Sequence, residues 1–61
     1  MEDDIRERVS ALVKRYGASR AAQMLGMGRE TTLAIAAGAR VMPANLIVAG
    51  QRLPEAEAHE S

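Results

Sequence analysis

Apolar residues Ile5, Val9, Leu12, Val13 and Tyr16 recur at i, i+4, i+7, i+8 and i+11, the spacing that gathers side chains on one stripe of a helix. The stripe predicts a first helix from about Asp3 to Tyr16, with Arg6, Glu7, Ser10 and Lys14 on its polar face. Acidic residues at its start and Lys14 and Arg15 at its end complement the helix dipole, and Gly17 supplies the stop. The next apolar positions fall into shorter units. Ser19 suits a helix N-cap, so a second helix runs from there through Leu25 and ends at Gly26. Two turns do not hold in water alone, so packing of Ala22 and Leu25 must support it.

Gly28 is an acceptable N-cap for a third helix, Arg29 to Ala37, with Gly38 just past its end. Thr32, Ile35 and Ala36 share one face and are expected inside; Gly28, Arg29, Glu30, Leu33, Ala34 and Ala37 then look outward. Pro43 suits the first turn of a fourth helix, where its missing amide hydrogen is not needed. Leu46, Ile47, Gly50 and Leu53 form its expected apolar stripe, and Pro54 is expected to close the ordered domain. The chain thus divides into a domain over 1–53 and a disordered acidic tail over 54–61. The fold class is all-α, a small bundle of about four helices.

Gly50 in mid-helix costs about 1 kcal/mol relative to alanine, which close approach of another helix would explain. With Ala44 and Val48 lying off the core stripe, the expectation is a two-fold homodimer through the fourth helix.

A chain of 61 residues makes one small domain, and with 2% aromatic content its core must be filled by Leu, Ile, Val, Met and Ala. Met27 is expected in that core and Met24 at the surface. There is no cysteine, and the single histidine, His59, lies in the polar tail, so neither a disulfide nor a zinc site is expected. No apolar run approaches the roughly 18 residues of a membrane span, and the start is acidic where signal peptides are basic. A cytoplasmic protein away from membranes is expected. There is no Ser/His/Asp or Cys/His set, and no phosphate loop beyond Gly26-x-Gly28, so neither an enzyme nor a cofactor is expected.

Charge changes the picture. The net charge is zero, but Glu2, Asp3 and Asp4 at one end and Glu55, Glu57 and Glu60 at the other hold most of the acid. Between them, residues 5–53 carry all eight basic residues against Glu7 and Glu30, a net +6. The central segment is therefore able to meet a polyanion, while the acidic ends are dipole partners, solubilising tails or internal competitors.

Ala22, Gly26 and Met27, followed by Thr32, Ile35, Gly38, Val41 and Pro43, give the chain over roughly 5–53 a form that resembles the helix-turn-helix of bacterial and phage regulators of the Cro/C1 and LacI type. The resemblance implies that the helix after the turn lies in the major groove of double-stranded DNA while the one before it abuts the backbone. Carried over by position, the base-contacting residues are Gly28, Arg29, Glu30, Leu33 and Ala34, and the phosphate-contacting residues are Ser19, Arg20, Thr31 and Arg40. Arg29 suits guanine, Glu30 cytosine, and Leu33 or Ala34 a thymine methyl. Position 28 is usually polar in that family, and positions 33 and 34 commonly polar or basic; all three are apolar or glycine here. Lys14, Arg15 and Arg52 divide evenly between phosphate contact and ordinary surface. The function implied is a small sequence-specific transcriptional regulator. The alternative is a protein-interaction module on the same scaffold, antirepressor-like or antitoxin-like, using the apolar face around Leu33, Ala34 and Val48.

Overall fold

The computed structural model describes residues 1–58, and among them every regular element is a helix: α1 (Glu2–Tyr16), α2 (Ala18–Leu25), α3 (Arg29–Ala36) and α4 (Pro43–Ala58). The long apolar stripe of α1 makes it the hub, packed against each of the other three, and α2 also meets α3 and α4. Val9 and Leu12 of α1, Ala21 and Leu25 of α2, Ile35 of α3, and Ala49, Leu53 and Ala56 of α4 form the core. Ile5, Val13, Tyr16, Met24, Met27, Ala36, Val41 and Leu46 pack around it. Met24, expected at the surface, is thus half-buried, because a helix of two turns packed against three neighbours has little free face.

Gly17, not Ser19, caps α2. It adopts φ +89°, ψ 159°, its amide donates to the Val13 carbonyl, and its own carbonyl accepts from the Ala21 amide. One glycine therefore ends α1 and begins α2, which leaves Ser19 exposed within the first turn. The earlier start also brings Ala21 into the core.

Two expectations for α4 are corrected. Ile47 is 60% exposed, and the buried stripe runs through Leu46, Ala49, Gly50, Leu53 and Ala56. Adjacent Leu46 and Ile47 point about 100° apart, so only one can face the core; small residues at 49, 50 and 56 let α1 come close on that side. A Cβ placed on Gly50 would stand 3.0 Å from Ile5 Cδ1. The approach that explains this glycine is made by α1 of the same chain rather than by a second copy.

The second correction is at Pro54, which does not end the helix. α4 continues through it to Ala58, so 54–58 belong to the folded unit instead of a disordered tail. Pro54 has no amide to offer the Gly50 carbonyl, a defect that ordinarily stops a helix. Beyond it, however, Ala56 is 1% exposed in the core and Glu57 is tied to Arg8 of α1, so tertiary contacts carry the extra turn. His59 and the rest of the expected tail lie outside the described residues.

Candidate nucleic-acid interface

α2 and α3 are joined by residues 26–28, and both helices end in the same way. At the end of α2, Gly26 is left-handed (φ +67°), its amide donates to the Gln23 carbonyl at 3.2 Å, and the Met27 amide reaches back to Ala22 at 3.1 Å. At the end of α3, Gly38 is left-handed (φ +79°), its amide donates to Ile35 at 3.2 Å, and the Ala39 amide reaches Ala34 at 2.9 Å. These are paired Schellman closures, for which glycine is suited because φ is positive there. Gly28 then caps α3 from an extended conformation, and its carbonyl accepts both the Thr32 amide and the Thr32 Oγ1 hydroxyl. That second bond lets a threonine sit fully buried without an orphaned hydroxyl.

Thr32 and Ile35, both at 0% exposure, seal the inner face of α3 as its sequence predicted. Of the residues placed outward, Gly28, Arg29, Glu30, Leu33 and Ala37 are exposed and Ala34 is half-buried; Thr31, a phosphate-contact candidate, is half-buried as well. Ser19 and Arg20 are exposed in the first turn of α2, and Arg40 is exposed beyond the end of α3. Of the pair expected at a dimer contact, Ala44 is exposed and Val48 half-buried.

Sequence reasoning missed two arginines of α1. Arg6, expected on the polar face, is held under α3: its Nη1 donates to the Ala39 carbonyl at 2.9 Å and the Ile35 carbonyl at 3.2 Å, and its Nε to Glu2 Oε2 at 2.8 Å. Its side chain keeps only 15% of its exposure. Arg8 pairs bidentately with Glu57 and reaches Asp4 Oδ2 at 3.4 Å. The hydrogen bonds from Arg8 hold the Glu57 carboxyl below its ordinary range, and those to Glu57 and Asp4 push the Arg8 guanidinium further up. The available signal was the i, i+4 spacing of Glu2 with Arg6 and of Asp4 with Arg8. The long-range partners gave none.

Of the acids at the two ends, Glu2, Asp4 and Glu57 are therefore partners of the α1 arginines. Among the described residues Lys14, Arg20, Arg29, Arg40 and Arg52 are exposed and make no ion pair. The guanidinium of Arg52 lies at the turn after α2, 3.4 Å from where a Cβ on Gly26 would stand. Arg15 lies over the Tyr16 ring at 5.7 Å. No family model matches the chain, and no curated protein or solved structure is significantly similar to it. Among the described residues no three His, Cys, Asp or Glu side chains group as a metal site, and no helix is long and apolar enough to cross a membrane. A concave feature of the surface is an open groove between α1, at Glu7, Ser10 and Lys14, and the end of α3 at Ala36, Ala37 and Gly38.

Proposed function

We propose that the chain binds duplex DNA as a small sequence-specific regulator, with α2 and α3 acting as a helix-turn-helix and α3 lying in the major groove. The observation that carries this reading is the division of α3. Its inner face is sealed by Thr32 and Ile35, while Gly28, Arg29 and Glu30 at its start stand in solvent. A helix with side chains is about 10–12 Å across and the major groove about 12 Å wide, so such an element fits by its free face. Unpaired Arg20 and Arg40 flank it and supply phosphate contacts; Arg29 supplies the strongest base contact, a bidentate pair with guanine. Two-fold pairing through α4 belongs to the same proposal, with exposed Ile47 now lying between Ala44 and Val48. Such a pair sets two copies of α3 about 34 Å apart, one turn of DNA.

Selection of bound duplexes from a random pool at low salt tests both parts, because it returns a preferred sequence and its half-site spacing together. Arg29→Ala should relax sequence preference, and Arg20→Ala should weaken all duplexes alike. Failure of the pool to enrich, or indifference to both substitutions, overturns the DNA reading. Sedimentation at micromolar concentration that finds monomer alone overturns the pairing. Exposed Leu33 on the outer face of α3 favours one second reading, a protein partner docked on that face, whose affinity would barely respond to salt.

A further inference from the structure

Arg6 is the polar tie between α1 and the end of α3, and what it grips is backbone. The Ile35 carbonyl already accepts from the Gly38 amide, and the Ala39 carbonyl belongs to the residue that completes the Schellman closure. A guanidinium there meets the negative end of the α3 dipole and spans the helix and the segment leaving it. Glu2, one turn earlier on α1, holds the Nε side of the same fork. A side chain tied at both Nε and Nη1 has little freedom to move.

We propose that Arg6 is a positioning residue that sets the angle of α3 on α1, and with it the placement of Arg29 at one end of α3 and Arg40 just beyond the other; this rests on the DNA reading above. α3 is eight residues, about 12 Å long, and only two of its side chains are fully buried, Thr32 and Ile35. The turn at Gly26 restrains its start through α2. At its end the restraint comes from Arg6, and Arg40 directly follows the Ala39 carbonyl that Arg6 holds. Releasing that end lets α3 pivot about Ile35. Bidentate base recognition is sensitive to such a pivot, whereas non-specific phosphate attraction tolerates it.

The test compares Arg6→Met, which keeps an apolar stem, with Arg6→Lys, which restores a cation, and with Arg8→Met, which breaks the contact to α4. Amide exchange of Gly38 and Ala39 is read alongside affinity for the selected duplex and for a random duplex at one salt concentration. Arg6→Met should speed exchange at both amides, weaken the selected duplex about tenfold and change the random duplex less than twofold. Arg6→Lys should recover part of each loss. Arg8→Met should lower the thermal midpoint and leave the ratio of the two affinities unchanged. If Arg6→Met does not fold, Arg6→Lys against the wild type carries the same comparison, with smaller changes in the same direction. Unchanged exchange, or faster exchange with an unchanged affinity ratio, overturns the positioning role. If the wild type itself does not distinguish the duplexes, the DNA reading fails, and the exchange data alone decide whether Arg6 restrains α3.

Discussion

On the α3 side of α1, Arg6 is steered by Glu2 one turn earlier and donates to the carbonyls of Ile35 and Ala39. On the α4 side, Arg8 is steered by Asp4 one turn earlier and meets the Glu57 carboxylate. The acceptors differ in one respect that matters: carbonyls do not titrate and a carboxylate does. Glu57 has its folded value pushed below the ordinary carboxylate range by Arg8. Its pair therefore adds stability above that ordinary range, and this is lost as pH falls through the depressed value. Arg8 is shifted upward, so it stays charged across the whole acid range and the sensitivity belongs to Glu57. Acid should loosen the end of α4 while the carbonyl contacts of Arg6 persist. The two sides of the hub are thus built for different duties, one a fixed angle and one a tether.

The comparison breaks most severely in the shared core. Ile35→Ala on the α3 side and Leu53→Ala on the α4 side should each cost about 2–5 kcal/mol, against a total of roughly 3–9 kcal/mol for a chain this size. Both variants should lose a cooperative thermal transition in circular dichroism. If Leu53→Ala melts like the wild type, α4 is an appendage and the hub description is wrong. Ending the chain after Leu53 removes the buried Ala56 and the Glu57 tether, and should lower stability by about 1 kcal/mol or more. An unchanged melting curve would return 54–58 to the status of a tail.

Gly38→Ala is a smaller blow on the α3 side. A Cβ there meets nothing within 4 Å, so its cost of about 1 kcal/mol comes from positive φ alone and should appear as faster exchange at Gly38 and Ala39. The smallest effect separates the two arginines. Between pH 6 and pH 3, amide exchange near Glu57 should accelerate more than exchange at Gly38 and Ala39, after correction for the intrinsic rates. Glu57→Gln should remove that difference with only a slight fall in thermal midpoint. Equal acceleration at both ends would show that the two contacts do not differ in kind.

The helical hairpin was legible in the sequence because local signals agreed. Gly26 and Gly38 mark left-handed closures, Thr32 and Ile35 lie one helical turn apart, and α1 carries a stripe repeated over more than three turns. The fourth helix was less legible because size decided what hydrophobicity suggested wrongly. Ala49 is buried and half-buried Gly50 faces Ile5 of α1 while Ile47 is exposed, since a close approach admits a small residue where it excludes a branched one. Pro54 misled for a related reason: its local cost was visible, and the contacts of Ala56 and Glu57 that offset it were distant. Arg6 read as polar surface and Arg8 drew no reading, because their long-range partners lie 29 to 49 residues away, beyond any periodic signal. For the outer face of α3, exposure of Gly28, Arg29, Glu30 and Leu33 followed directly from the burial of Thr32 and Ile35.

The claim that α3 and its flanking cations meet duplex DNA is tested most directly by the salt dependence of binding. The logarithm of the association constant should fall linearly with the logarithm of salt concentration, with a slope of about −0.9 for each phosphate neutralised. Arg20→Ala and Arg40→Ala should each make that slope shallower by about 1. No retention of duplex at low salt, or a slope near zero that neither substitution alters, would contradict the account.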